Sequence, residues 1–132
     1  MKQKPEIWVV DQDGDTLTLM EHAFQAERLT CRVVAFDNET SLYQHIKSSS
    51  SLPAMLMVEY SVSLLNGLTN VQHLRAHPLT KTIKLVLFGS SLTADMLNKA
   101  QKLGIYQIER KPLDFQQWRN FAKELCLAGH FT

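Results

Sequence analysis

The chain has 132 residues, a length that suits one domain with a hydrophobic core of its own. Lysine and arginine total 14 and aspartate and glutamate total 13, so the formal net charge is +1. A nearly neutral chain has no strong field that would favour nucleic acid or an anionic membrane surface. We therefore expect a single domain, residues 1–132, that binds neither of these.

The two cysteines, Cys31 and Cys126, lie far apart and match neither a metal-binding nor a redox spacing. Such cysteines are typical of a reduced, cytoplasmic setting. No apolar run is long enough to span a membrane, and no signal peptide is evident at the start of the chain. We expect a cytoplasmic protein.

Short apolar segments alternate five times with segments in which apolar residues recur at helical spacing. In chain order the pattern predicts a strand at 7–10, a helix at 14–29, a strand at 31–36, a helix opened by Asp37 and Asn38, a strand at 54–58, a helix at 68–76, a strand at 83–88, a helix at 93–103, a strand at 106–109 and a helix capped by Asp114. This alternation favours a parallel sheet with helices on both faces, joined by right-handed crossovers.

Four of the five predicted strands are followed by residues that are candidates for a functional site. They are Asp11 and Gln12 after the first strand, Glu59 after the third, Gly89 and Ser90 after the fourth, and Lys111 after the fifth. The carboxyl ends of parallel strands form the edge at which open α/β sheets place their ligand chemistry. We expect these residues to lie together at that edge.

In this order the residues resemble the receiver domains of bacterial two-component response regulators, over nearly the whole chain. In that family an acidic pair follows the first strand, a phosphate-accepting aspartate ends the third, Thr or Ser ends the fourth, and Lys-Pro follows the fifth. The matching segments here are Val9-Val10-Asp11, Leu64-Leu65-Asn66-Gly67, Gly104 and Lys111-Pro112. The resemblance implies a flavodoxin-like, CheY-like three-layer α/β sandwich with a five-stranded parallel sheet of order 2-1-3-4-5.

Several positions depart from the family pattern. Glu59 replaces the phosphate-accepting aspartate, and its extra methylene displaces the carboxylate by about 1.5 Å. Gln12 replaces the second acid of the metal-binding pair, and a neutral amide is a poor ligand for Mg²⁺. Gly89 stands at the hydroxyl position with Ser90 beside it, and Ile108 stands at the aromatic switch position. The resemblance with these changes implies no cofactor, doubtful Mg²⁺ binding and no enzymatic activity.

Lys111 could pair with Glu59 and Asp11 in such a pocket without any phosphate. We therefore hypothesise that Glu59 and Lys111 form a permanent ion pair and that the domain holds one conformation. The resemblance then implies a pseudo-receiver in two-component-type signalling that works through contacts with a histidine kinase or a downstream effector. Its interaction face would include Tyr106, Ile108 and Trp118, although Trp118 also has the spacing of a core residue. A homodimer formed through the last helix is a further possibility.

Two alternatives remain at this point. The first is a receiver that still accepts phosphate. The second is a small phosphatase, because Asp11 to Leu17, DQDGDTL, resembles the nucleophile motif of haloacid-dehalogenase-like phosphatases with Asp11 as nucleophile. That motif is interrupted here by Asp15, and no later acidic pair suited to its Mg²⁺ follows a strand.

Overall fold

A computed structural model describes residues 6–28, 31–48, 51–60, 67–78, 80–105 and 107–128. Its strands are β1 Glu6–Val10, β2 Arg32–Phe36, β3 Met55–Glu59, β4 Leu85–Gly89 and β5 Gln107–Arg110. Its helices are α1 Gly14–Ala26, α2 Glu39–Ser48, α3 Gly67–Ala76, α4 Ala94–Lys102 and α5 Phe115–Ala128. The predicted order of elements is confirmed.

The five strands form one parallel sheet in the order β2-β1-β3-β4-β5, as predicted. Val10, the last residue of β1, pairs with Phe36 on one side and with Val58 on the other. At the far side of the sheet Gly89, the last residue of β4, pairs with Arg110, the last residue of β5. The carboxyl ends of the strands therefore form one edge.

Alternate residues of each strand face opposite layers of helices, as the two-residue period of a strand requires. Leu56 and Val58 face a layer that includes buried residues of α2, α3 and α4. Met55 and Met57 face the other layer, which holds buried residues of α1 and α5. The molecule is thus a three-layer α/β sandwich, and β3 and β4 are buried along their whole length.

Side chains at the helix ends explain where several helices begin. Asp13 caps α1 by accepting hydrogen bonds from the N–H groups of Asp15 and Thr16. Thr93 caps α4 through the N–H of Met96. The carboxylate of Asp114 accepts from the N–H of Gln117, as expected of the residue that caps the last helix.

Some element bounds differ from the prediction for local reasons. The structure ends α1 at Ala26 and places Arg28 at φ +52, a left-handed conformation that cannot continue a right-handed helix. The structure also begins β4 at Leu85, later than predicted, because Ile83 closes the preceding turn by donating to the carbonyl of Thr80. The ends of predicted segments that fall on residues 29 and 106 lie outside the described residues.

Arg75, near the end of α3, ties together three backbone segments. Its guanidinium donates to the carbonyls of Lys81 and Ile83 at 2.8 and 3.1 Å, and to that of Gly104 at 2.5 Å. Burial lowers the pKa of this guanidinium. The side chain therefore holds the approach to β4 and the turn after α4 in fixed positions. No helix in the described part of the chain is long and apolar enough to cross a membrane.

Candidate functional site

Three charged residues are held at the carboxyl edge of the sheet by backbone hydrogen bonds or strand pairing. Asp11 follows β1, and its N–H donates to the carbonyl of Phe36 at 3.0 Å. Glu59 is the last residue of β3 and is in register with Phe88 of β4. Lys111 follows β5, and its N–H donates to the carbonyl of Gly89 at 2.9 Å. Each side chain thus starts from backbone that the sheet fixes.

Both carboxylates leave the same face of the sheet. Val9 of β1 and Met57 of β3 are paired in register and point into the layer of α1 and α5. Asp11 and Glu59 each come two residues later, so the strand period directs them toward that same layer. Asp11 is 2% exposed and Glu59 is 6% exposed, which makes both of them buried acids.

Lys111 supplies the positive charge of this site. Its ammonium lies 3.1 Å from Oδ2 of Asp11 and 3.9 Å from Oδ2 of Asp13. The side chain is only 15% exposed, and the ammonium lies 5.9 Å from the centre of the Phe88 ring. Because burial weakens screening by water, this ion pair is stronger than one at the surface.

The carboxylate of Asp11 is held in one orientation. Its Oδ1 accepts a hydrogen bond of 2.9 Å from the N–H of Asp13. Its Oδ2 is buried and accepts no hydrogen bond from the described residues, and it lies 3.1 Å from the ammonium of Lys111. The charge of Asp11 is therefore compensated chiefly by this one lysine.

Asp13 has two roles, because it caps α1 and also lies near the ammonium of Lys111. Its Oδ1 accepts from the N–H groups of Asp15 and Thr16 at 3.0 and 3.4 Å, and its Oδ2 accepts from the hydroxyl of Thr16 at 3.0 Å. The hydrogen bond from the Thr16 hydroxyl, followed by the backbone N–H groups and Lys111, lowers the pKa of Asp13 below its ordinary 3.8. The spacing Asp11-x-Asp13 was the signal that could have placed it beside Lys111.

Glu59 lies against the end of β4, where Gly89 leaves room for it. A Cβ added to Gly89 would lie 3.6 Å from Oε1 of Glu59, 3.2 Å from Cβ of Tyr60 and 3.4 Å from Cδ2 of Leu92. A cavity of about 280 Å³ opens here, lined by Glu59, Tyr60, Gly89, Ser90 and Ser91. The predicted ion pair between Glu59 and Lys111 stays a prediction, supported by the register of Glu59 with Phe88, whose ring centre lies 5.9 Å from the ammonium.

The other predicted site residues differ in their surroundings. Gln12 is exposed and follows β1 at the rim of the site. Ser90 is exposed just beyond β4, whereas Gly89 is buried. Within the described residues, no group of three or more histidine, cysteine, aspartate or glutamate side chains is arranged to hold a metal ion.

The predicted interaction face is corrected at one position. Trp118 is 1% exposed and packs edge-on against Phe121 in the core beneath α5, so a partner could not reach its side chain. Ile108 is half-buried against the opposite core layer, and Tyr106 lies outside the described residues. The exposed apolar side chains near this face are instead Leu113, at 83%, and Phe115, at 39%. Leu113 was missed because it directly follows Pro112 in a loop without a periodic pattern.

Several solved structures with this fold are response regulators or their receiver domains. A receiver domain from Rhodospirillum rubrum has a TM-score of 0.80 at 15% identity, covering 96% of this chain and 94% of that one. The phosphorylated cyanobacterial phytochrome response regulator RcpA has a TM-score of 0.79 at 15% identity, with coverages of 92% and 91%. The bacteriophytochrome response regulator AtBRR has a TM-score of 0.73 at 20% identity, with coverages of 93% and 92%.

At these identities the likeness shows that the chain has the receiver-domain fold. No protein-family model matches the sequence, and no curated protein sequence matches it significantly.

Proposed function

We propose that this protein is a pseudo-receiver: a signalling domain that works through protein–protein contacts and does not depend on a phosphorylation cycle. The observation that carries this proposal is the buried carboxylate of Glu59 at the end of β3, with Gly89 beside it. In the receiver family these two positions hold the phosphate-accepting aspartate and a hydroxyl residue. Both are changed here, and the changes are neighbours in space.

The altered geometry works against phosphoryl transfer. In-line transfer depends on positioning the attacking oxygen and on stabilising charge, and a misplacement of about 1 Å can cost about a hundredfold in rate. The extra methylene of Glu59 moves its carboxylate by about 1.5 Å. Gly89 has no hydroxyl, and a Cβ at that position would meet Tyr60 at 3.2 Å. The site therefore lacks the oxygen position and the hydroxyl on which the family reaction depends.

The same residues favour one stable conformation. Lys111 is already paired with Asp11. Glu59, at the end of β3, is in register with Phe88 of the neighbouring strand β4. A phosphoryl group is then not needed to recruit the lysine. We expect Glu59 and Lys111 to form an ion pair without phosphate, so that the surface offered to partners does not change when a phosphodonor is added.

Partners would be signalling proteins, either a histidine kinase or a downstream effector, or a second copy of the chain. The surface of α4, β5 and α5 is the expected contact, and the exposed Leu113 and Phe115 lie at the start of α5. Exposed apolar side chains that lie together and are rimmed by polar ones can form the centre of a protein contact surface. The domain would bind and not catalyse, and its expected cytoplasmic setting stays a prediction.

Residual phosphate acceptance is the second candidate. It is favoured by the presence of Asp11, Glu59 and Lys111 at one edge of a fold that RcpA shares in its phosphorylated form. A phosphatase with Asp11 as nucleophile has no such support, because Asp11 is buried and paired with Lys111. Turnover of a generic phosphate ester in the presence of Mg²⁺ would distinguish such a phosphatase from a receiver-type signalling domain.

The test is intact-mass spectrometry after incubation with a small-molecule phosphodonor and Mg²⁺. The native protein, Glu59→Asp and Glu59→Ala are compared under identical conditions. We expect no stable phosphoryl gain on the native protein. A gain on the native protein that Glu59→Ala abolishes would show that the site still accepts phosphate, and the proposal would fail.

A further inference from the structure

A second cavity lies at the edge of the sheet opposite to Glu59 and Lys111. Its volume is about 610 Å³, against about 280 Å³ for the cavity beside Glu59. Residues of α1, of β2 and of the segment between them line it. Arg32, one of these residues, begins β2 and pairs with Glu6 at the start of β1, so the cavity lies at the amino ends of the strands. A volume of roughly 300–1,000 Å³ is typical of sites that bind small molecules.

The floor of this cavity is apolar. Phe24 of α1 and Cys31, just before β2, are both buried, and Val33 of β2 is half-buried. All three belong to the core layer of α1 and α5, so their positions are fixed by packing between the sheet and α1. An apolar group that entered the cavity would therefore lose contact with water against a surface that already exists.

Two arginines supply positive charge at the rim. The guanidinium of Arg32 donates to the carboxylate of Glu6, so its charge is compensated within the protein. Arg28 is exposed, and its guanidinium has no hydrogen-bond or ion-pair partner among the described residues. A guanidinium can bind a carboxylate through two parallel hydrogen bonds. Arg28 is thus the cation that is available to a ligand.

The backbone at the end of α1 fixes the position of Arg28. Its φ of +52 ends the helix, and its N–H donates to the carbonyl of Gln25 at 3.1 Å. The N–H of Glu27 donates to the carbonyl of Ala23, also at 3.1 Å. Unpaired carbonyls at the end of a helix repel an anion. Because these two carbonyls are paired, the end of α1 opposes a bound carboxylate less.

Glu21 adds one acid to the same rim. It lies two helical turns before Arg28, too far along the helix for a typical side-chain pair, and no ion pair joins the two among the described residues. Its charge disfavours ligands that carry more than one negative charge. The cavity therefore combines an apolar floor, one available guanidinium and one acid that limits the charge of the ligand.

We infer that this cavity binds a small organic carboxylate with a single negative charge and an apolar body, and that Arg28 binds its carboxylate group. The apolar body lies against Phe24, Cys31 and Val33. The inference does not rest on the proposed function, because the cavity shares no lining residue with the site at the carboxyl edge of the sheet.

The test uses phenylacetate and phenethylamine, which carry opposite charges on similar aromatic bodies. Each is titrated into the full chain while amide chemical shifts are followed by nuclear magnetic resonance. We expect phenylacetate to give saturable shifts around Phe24 and Val33, with a Kd in the millimolar range because the probe is small. Phenethylamine should bind at least about threefold more weakly, since the guanidinium attracts only the carboxylate.

Two variants locate the charge that the ligand recognises. Arg28→Gln removes the charge at an exposed position and keeps a long polar side chain, so the fold should be unaffected. It should raise the Kd for phenylacetate at least about threefold. Lys102→Gln is the matched control, because Lys102 is an exposed cation at the end of α4, outside the cavity. This variant should bind phenylacetate as the native chain does.

The inference is overturned if phenylacetate gives no saturable shifts around Phe24 and Val33, or if phenethylamine binds as tightly. It is also overturned if Arg28→Gln changes the Kd for phenylacetate no more than Lys102→Gln does. These titrations use no phosphodonor, so their outcome is separate from that of the mass experiment on Glu59.

Discussion

Removing the lysine from the buried ion pair between Lys111 and Asp11 should destabilise the fold substantially, because a buried charge is left unpaired. Substituting Lys111 by methionine leaves the carboxylate of Asp11, whose side chain is 3% exposed, without its cation. Removing one partner of a buried pair typically costs 3–5 kcal/mol. Water reaches one side of this site, because the side chain of Asp13 is 54% exposed. We therefore expect Lys111→Met to lower the free energy of unfolding by about 3 kcal/mol, the lower end of this range.

A double-mutant cycle separates the pair from the lost side-chain packing. Asp11→Asn alone should cost less than Lys111→Met, because Lys111 keeps Asp13 as a nearby acid. The double variant, in which both charges are gone, should be more stable than Lys111→Met alone, with a coupling energy of about 2 kcal/mol. Urea unfolding followed by circular dichroism at constant pH and ionic strength measures all three changes.

Lys123→Met is the matched control for this cycle. Lys123 also pairs with an acid, Glu27 at 2.8 Å, but its side chain is 57% exposed and Glu27 keeps Arg119 as a partner. We expect a loss within about 1 kcal/mol. If Lys111→Met costs no more than this control, or if the two substitutions at the site are simply additive, the ion pair does not stabilise the fold as argued.

Three further changes should have measurable effects. Arg75→Lys should lose about 1–2 kcal/mol in urea unfolding, because one ammonium cannot replace a guanidinium that donates to three carbonyls; an unchanged midpoint would contradict this. Gly89→Ala should lose about 1 kcal/mol in thermal unfolding, since its Cβ would lie 3.2 Å from Cβ of Tyr60; a stabilised variant would show that the strand end adjusts freely. Asp13→Asn keeps a capping oxygen that cannot titrate. The pKa of Asp13 in the folded protein lies below its ordinary 3.8. The native protein should therefore have a higher free energy of unfolding than this variant above that pH, and the difference should shrink as the pH falls through the folded pKa. A difference that does not depend on pH would refute this prediction.

The fold was predictable because each buried strand is a short apolar run that ends at a polar residue or glycine. The run that ends at Glu59 is buried on both faces and lies at the centre of the sheet, as its unbroken apolar pattern indicated. Helix starts were predictable from single capping residues such as Asp13 and Thr93. The end of α1 was not, because it depends on the left-handed conformation of Arg28, a residue without the usual preference for that region.

The site was predictable as a set of residues but not in its contacts. Strand order places Asp11, Glu59 and Lys111 at one edge, but it does not indicate that the ammonium of Lys111 lies within 4 Å of both Asp11 and Asp13. The spacing of Trp118 indicated a core position, which the structure confirms, and its assignment to the interaction face came from the family resemblance alone. The space that Gly89 leaves for its neighbours likewise arises from packing between strand ends that are distant in sequence.

The claim that the domain holds one conformation can be tested most directly by nuclear magnetic resonance. Amide chemical shifts of the native protein would be recorded before and after adding beryllium fluoride, a phosphoryl mimic, together with Mg²⁺, and the same titration would be run on Glu59→Asp. We expect the native shifts to stay unchanged around β4, β5 and α5. Saturable shift changes across these elements in the native protein would show that the domain still switches, and would contradict a phosphorylation-independent function.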